Sequence, residues 1–241
     1  KHIEDAVHVV NLNFDFKRHK KSDMRISEKL DIELVYIKDG KVLPTERFIA
    51  ILKDEVFKDF LIDSSLYSSS VYSEKVSKGK LVYGFMLHEK YSRRDVLRIL
   101  NWDKNRNATT LGGYRMSPDG TNCPIWVTYH KHEVEDSINY ADEFLSPTRF
   151  QWMSRSRRTK KSGELQPIIN APESGVRLPF FIKKSDNEGI DYYYLGDVLP
   201  FKEAIEDTTM PDGKGGQLNV VKFVFELEHR VPDELYNYLI K

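Results

Sequence analysis

The sequence predicts an α+β fold: a mostly helical N-terminal lobe carrying one β-hairpin, followed by a mixed, turn-rich, β-barrel-like domain. Three observations predict it. Ile49, Leu52, Val56 and Phe60 recur at helical spacing in the first third. Turn-forming clusters crowd the chain after Asn101, among them Leu111-Gly112-Gly113, Pro118-Asp119-Gly120, Asn187-Glu188-Gly189 and Pro211-Asp212-Gly213. Between them lie short β-prone runs, the arrangement of a curved sheet or barrel. The change of texture divides the chain softly into residues 1–88 and 89–241.

In chain order, Val7 to Phe16 reads as a strand that runs into the basic cluster Lys17-Arg18-His19-Lys20-Lys21. Ile32 to Ile37 and Val42-Leu43 flank Asp39-Gly40, a pair that supplies the positive φ angles of a tight hairpin turn. Pro44-Thr45 opens the helix that carries the Ile49/Leu52/Val56/Phe60 stripe, a pattern that usually faces a core. The serine- and tyrosine-rich stretch Ser64 to Ser77 reads as irregular or weakly helical, and Lys78-Gly79-Lys80 as a joint. A second helix starts at Ser92, with Asp95 at capping-box spacing. Strands follow at Ile125–Tyr129, Leu178–Ile182, Tyr192–Leu195 and Val220–Leu227. The last alternates, with Val221, Phe223, Phe225 and Leu227 on one face. Pro232 to Leu239 reads as a short helix.

Composition excludes several classes. The 241 residues are 40% hydrophobic and 31% charged, a globular composition. No apolar run approaches the ~18 residues of a membrane span, and no signal-peptide pattern opens the chain. One cysteine, Cys123, excludes a disulfide framework and points to the cytoplasm; it reads as a small core residue. The 37 basic and 37 acidic residues exclude a uniformly basic nucleic-acid binder. The balance is uneven along the chain: residues 81–161 hold 14 basic and 9 acidic side chains, against 8 and 14 in residues 162–241. A polyanion would approach the middle third.

Phosphate-loop, dinucleotide and nucleophile-elbow motifs are absent. His130-Lys131-His132 places two imidazoles on one strand face, yet no third ligand is evident, so no metal and no cofactor is expected. Asp31-Ile32-Glu33 lies too far from Lys38 for a metal-nuclease motif. The run Arg149 to Lys161 stands out, with six basic side chains and no acid. Phe150 and Trp152 share a strand face within it. Its arginines offer bidentate forks to phosphates, and an aromatic beside such a fork can stack a base. The same run also reads as a solvated basic loop with a core tryptophan at its root. Arg93, Arg94, Arg98, Lys104 and Arg106 form a second cluster, which reads as a charged outer helix face.

Several blocks carry a resemblance. They include Tyr91–Leu97 with Asn101-Trp102, Gly113-Tyr114-Arg115, Cys123–Lys131, Tyr140–Leu145, Phe150–Arg158, Leu178–Lys184, Tyr193–Gly196 and Phe225–Glu228. Over about residues 85–241 the chain resembles an uncharacterised bacterial domain. That domain stands at the C-terminus of superfamily II helicase proteins, often with a phospholipase-D-type nuclease domain at the other end, in machines of restriction or phage-defence type. The opening Lys1 fits an excised C-terminal piece.

The resemblance implies a role by position: a module that selects DNA for an ATP-dependent helicase–nuclease. By analogy at fold level, a barrel of the SRA, PUA-like or B3 kind suits the turn-rich half. The expectation is a non-catalytic domain that binds double-stranded DNA, with the finer expectation of a modified base. Arg149, Arg155, Arg157, Arg158, Lys160 and Lys161 would contact phosphates, and Ser154 and Ser156 would donate to them. Trp152 or Trp126 would stack on a base, flanked by Arg115 and His130. The alternative is a coupling module that docks on the helicase or on a defence partner.

Overall fold

The computed structural model describes residues 2–11, 33–78, 80–103, 106, 108–130, 142–212 and 214–241. The chain forms two compact units, residues 1–86 with 94–107 and residues 87–93 with 108–241.

The first unit opens on the helix His2–Val10. Val7 to Val10 are therefore helical, not the start of a strand; Ile3, Val7 and Val10 are spaced for a helix, and short apolar runs do not separate the two periods. The rest of that stretch and the basic cluster 17–21 lie outside the described residues. Asn11 ties the helix to the hairpin: its amide donates to Val35 O (2.7 Å) and its Oδ1 accepts from Leu34 N (2.9 Å) and Val35 N (3.0 Å). Strands β1 (Val35–Lys38) and β2 (Lys41–Pro44) pair antiparallel. Asp39 and Gly40 both take positive φ, 52° and 71°, which matches the hairpin's right-handed twist.

The anticipated single helix is two. Thr45 caps Glu46–Ile51 and Asp54 caps Glu55–Ser77, each accepting from a backbone N–H three residues on. Leu52 sits in the break. Ser64 to Ser77 is continuous helix, which decides between the irregular and the weakly helical readings of that stretch. The stripe is not core: neither helix buries a residue, and Val56, Phe60 and Leu66 are 66–69% exposed. The serine-rich half showed no apolar period because it has no buried face. The unit also holds a two-stranded pair, β3 (Leu81–Val82) and β4 (Phe85–Met86), and most of the helix Arg93–Ile99.

The second unit is one curled sheet with helices at its margins. Its strands are β5 (Lys90–Ser92), β6 (Ile125–His130), β7 (Glu143–Ser146), β8 (Arg149–Met153), β9 (Pro179–Ser185), β10 (Asp191–Pro200), β11 (Glu206–Pro211) and β12 (Gln217–Leu227). The spatial order is β6-β9-β10-β12-β8-β7, with β5 added on β10 and β11 on β12. Only β6 and β9 run parallel among these pairs. The two long strands change partner along their length. β10 leaves β9 and joins β12 after an irregularity between Tyr194 and Asp197. Gly196 sits in that bulge at φ +96°, where a Cβ would lie 2.9 Å from the His229 ring.

Alternation fills the inside of the curl. Ile125 and Val127, Phe150 and Trp152, Phe180 and Ile182, and Val221, Phe223, Phe225 and Leu227 all join one buried cluster. The curl brings the two ends of the strand order together: Tyr129 of β6 meets Phe144 of β7 (5.8 Å between rings) and Phe150 of β8 (6.3 Å). The helix Asp233–Ile240 closes one end, with Tyr236 against Phe144 (5.2 Å) and Leu239 buried. The fold is α+β, with a barrel-like sheet. Among the described residues no helix is long and apolar enough to cross a membrane.

Candidate functional site

Among the described residues no ladder joins the two ends of the strand order, and a cleft opens at this seam, between β6 and the end of β8. The segment 113–115 covers the start of the β6 edge, where Trp126 N donates to Gly113 O (2.7 Å) and Arg115 N to Pro124 O (3.4 Å). Beyond it lies a cavity of about 230 Å³. One wall is Trp126 and Thr128 of β6; facing it are Trp152, Met153, Ser154 and Arg155 at the end of β8, with Tyr114, Asp142 and Arg93 at the rim.

Contacts behind the wall and at the rim hold several of these residues. Trp126 is 3% exposed and stacks on Phe181, rings 6.2 Å apart and inclined by 24°. Arg93 lies over the Trp126 ring (5.4 Å) and the Tyr192 ring (5.3 Å), and donates to the Tyr192 hydroxyl (3.2 Å). The Trp126 indole N–H is buried and has no acceptor among the described residues, an uncommon state for a buried donor. Asp142 Oδ1 accepts from Met153 N (2.8 Å), which turns a carboxylate into the seam. Trp152 is both wall and core, 5.2 Å from Tyr114 and 5.4 Å from Phe225.

Beside the cleft lies a polar cluster. The Tyr114 hydroxyl donates to Glu164 Oε1 (2.6 Å); Arg158 Nε donates to the same oxygen (2.5 Å) and its Nη2 to Oε2 (3.5 Å). Arg155 Nη1 stands 3.8 Å from Oε2. Burial works hardest against the Glu164 carboxylate, yet the hydrogen bonds from Arg158 and Tyr114, with both arginine charges, hold its pKa below the usual range. Burial first, then the bond to Glu164, pushes the Tyr114 hydroxyl far above the usual tyrosine value.

The structure brings four of the anticipated residues, Trp126, Trp152, Ser154 and Arg155, to the cleft. Two of them have other partners than phosphate. Ser154 is fully buried; its hydroxyl accepts from Val221 N (2.9 Å) and donates to Arg155 O (3.0 Å), which locks the end of β8 to β12. Arg155 turns inward: its Nη2 donates to Leu111 O (2.9 Å) and Tyr114 O, and its guanidinium lies 4.1 Å from the Tyr114 ring centre. It rests against Gly112, whose φ of +62° and missing Cβ make the room.

The loop after β8 carries Ser156, Arg157, Arg158, Lys160 and Lys161. Arg157 (φ 62°) and Lys161 are exposed. Lys160 is pinned by its backbone, N to Asp207 Oδ1 (2.7 Å), while its ammonium lies 3.4 Å from Ile205 O. Arg115 is exposed beside Tyr114. Two anticipated residues stand apart. Arg149 is at the other end of β8, roughly 13 Å along the strand from Met153, over the Phe201 ring (4.8 Å). His130 ends β6 and bonds through Nε2 to Leu239 O (3.0 Å), so it anchors the C-terminal helix and does not flank the cleft. The second imidazole of that pair, His132, lies outside the described residues. Among the described residues no group of three His, Cys, Asp or Glu is placed to hold a metal.

Sequence reasoning missed Asp142, Arg93, Tyr114, Thr128 and Glu164. Membership of the blocks Tyr140–Leu145, Tyr91–Leu97, Gly113–Arg115 and Cys123–Lys131 signalled the first four, and Arg93 also stood in the second basic cluster, read there as an outer helix face. Cys123 is 1% exposed, and burial pushes its thiol up to about 12, which fits a core role.

No curated protein matches the chain. Among solved structures, a DNA modification-dependent restriction endonuclease, AspBHI, shares 16% identity at a TM-score of 0.39, over 62% of this chain and 76% of that one. A structure of the sulfur binding domain and SRA domain of ScoMcrA, complexed with phosphorothioated DNA, shares 12% identity at 0.39, over 65% of this chain and 45% of that one. KRYPTONITE, in complex with mCHH DNA, an H3(1-15) peptide and SAH, shares 10% identity at 0.34, over 66% and 37%. Likeness at this level does not by itself assign a fold or a function. The family model is a firmer match: residues 85–239, more than half the chain, fit the family described as "Domain of unknown function (DUF3427)", and the chain belongs to that family.

Proposed function

We propose that this chain is a non-catalytic DNA-recognition domain that takes one base out of the duplex into the seam cleft. One observation carries the reading: the cleft joins an indole wall and a carboxylate, and a basic loop leaves its rim. At about 230 Å³ it is smaller than the ~300–1,000 Å³ of drug-sized sites, and it suits one small planar ring. Extruding a base costs a few kcal/mol, which stacking on an aromatic wall and hydrogen bonds to the base edge can offset. Asp142 is an acceptor of the kind that takes an exocyclic amine. The finer reading is a modified base, and the wider one a domain that selects DNA for a helicase–nuclease of restriction type, as the sequence resemblance implies.

The test is fluorescence anisotropy with short duplexes, unmodified, cytosine-methylated, hydroxymethylated and phosphorothioate, at two salt concentrations. A 2-aminopurine probe reports extrusion. Salt-sensitive binding with a fluorescence rise, weakened by Asp142→Asn and Trp126→Ala in folded protein, is expected. A folded sample that binds none of these duplexes sinks the proposal.

A second reading, a coupling module, is favoured by one observation. The helix Glu55–Ser77 buries nothing and exposes Val56, Phe60, Leu66 and Tyr67 by 66–70%. Retention of helicase or nuclease domains of the parent protein by this chain, lost on Phe60→Ser/Leu66→Ser, would support it.

A further inference from the structure

We infer that the Glu164 carboxylate is a built-in stand-in for phosphate: it fills an anion site formed by the Tyr114 hydroxyl and the Arg155 and Arg158 guanidinium groups, and a DNA phosphodiester displaces it on binding. This rests on the DNA-recognition reading and gives it a gate.

The geometry of the site is that of an oxyanion receptor. Arg158 presents its side-on fork, Nε to one carboxylate oxygen and Nη2 to the other, as guanidinium groups do to carboxylate and phosphate alike. Tyr114 adds a neutral donor at 2.6 Å to the oxygen that already takes Arg158 Nε. Arg155 Nη1 approaches the second oxygen at 3.8 Å, while its Nη2 is fixed to backbone carbonyls, so this cation cannot swing away. The pocket is therefore organised before any ligand arrives.

The occupant is accessible. Glu164 lies in the 3₁₀ turn Gly163–Leu165, and the side chains of Glu164, Arg155 and Arg158 are each about one-third exposed. A carboxylate in this position pairs with only one arginine at close range, so exchanging it for an outside anion exposes no buried charge. The site also has a meaningful address. Tyr114 and Arg155 are shared with the cleft rim, so a phosphate held here flanks a nucleotide whose base enters the cleft. Glu164 is the acid that the run Arg149 to Lys161 lacks, placed three residues beyond its end. In the free protein it neutralises the loop at the site itself, and it opposes casual capture of any polyanion.

The test uses the full chain as wild type, Glu164→Gln, Arg158→Ala and the double variant. Glutamine keeps the volume and an acceptor for Tyr114 while removing the charge. Anisotropy with a short labelled duplex is expected to show Glu164→Gln binding about three-fold tighter or more, with the gain abolished in the Arg158→Ala background. Thermal melts with inorganic phosphate run alongside, and phosphate should raise the melting temperature of Glu164→Gln more than that of wild type or of the double variant. If wild type and Glu164→Gln bind duplex equally, or if the gain persists without Arg158, the gate is wrong and DNA recognition stands. If neither binds duplex but phosphate stabilises Glu164→Gln through Arg158, the anion site stands and DNA recognition falls. Should Glu164→Gln melt far below wild type, Glu164→Asp decides: the shortened acid releases the Arg158 fork, and unchanged duplex affinity overturns the proposal.

Discussion

Replacing Gly112 by alanine tests whether Arg155 is an internal strut. The new Cβ would lie 2.6 Å from Arg155 Nη2 and 2.9 Å from its Cζ, at a backbone φ of +62°. The left-handed backbone alone costs an alanine about 1 kcal/mol. The guanidinium must then retreat from Leu111 O and Tyr114 O, and losing a hydrogen bond from a charged donor costs about 1.5–3 kcal/mol. The total is roughly 2.5–4 kcal/mol, or on the order of 5–15 °C in Tm for a chain of this size. The decisive assay is a double-mutant cycle by urea unfolding. Once Arg155→Ala has removed the strut, Gly112→Ala should cost only its backbone share, so the pair couples by about 1.5–3 kcal/mol. Equal costs in both backgrounds would show that the left-handed turn matters and the contact does not.

Three other perturbations read other parts of the second unit. The Cys123 thiol, raised to about 12 by burial, should resist a thiol-specific reagent at pH 8 in native protein and react fully in denaturant; native reactivity at the denatured rate would refute its placement. Asp197, 6% exposed, takes a two-pronged contact from Arg177 (2.7 and 3.0 Å) and the Tyr194 hydroxyl (2.9 Å), so Asp197→Ala should cost about 3–5 kcal/mol in urea unfolding. Glu228 is raised, first by burial and then by Asp197, so its ionisation opposes folding: stability falls as pH climbs from the ordinary carboxylate value through the folded one. Glu228→Gln should therefore raise Tm at pH 7 and not at pH 3, and a loss at pH 7 would contradict the sign.

What was legible in the sequence was whatever local chemistry decides. Asp39-Gly40 makes its turn because few other pairs tolerate two positive φ angles. The alternation of Val221, Phe223, Phe225 and Leu227 survives because one face of β12 is inside the curl. The helix Glu55–Ser77 was half lost because a helix that buries nothing carries no apolar period, and seven serines weaken the local signal. The cleft was less legible still. It depends on which two strands meet at a seam, and β6 and β8 are separated by 18 residues of chain and four positions of strand order. Ser154 and Arg155 are adjacent to a basic loop in sequence, yet partners 44 and 67 residues away decide their roles. Nothing in a count of arginines shows that one has turned inward.

That turn changes the number of charges available to a polyanion, and the number is measurable. Six basic side chains in Arg149 to Lys161 would give a slope of log K against log salt of about −5.4 if every one met a phosphate, at about −0.9 each. Arg155 spends Nη2 on two carbonyls and can only share through Nη1 the phosphate that Arg158 meets, adding none of its own, and Arg149 lies at the far end of β8 over Phe201. Four remain: Arg157, Arg158, Lys160 and Lys161. The expected slope is about −3.6 if Glu164 yields Arg158 to a phosphate, and about −2.7 if it does not. Arg149→Ala should leave the slope unchanged, whereas Arg157→Ala should flatten it by about 0.9. A wild-type slope at or beyond about −5 that Arg149→Ala and Arg155→Ala each reduce would mean that the basic run acts as the sequence alone suggested, and that the strut opens on DNA.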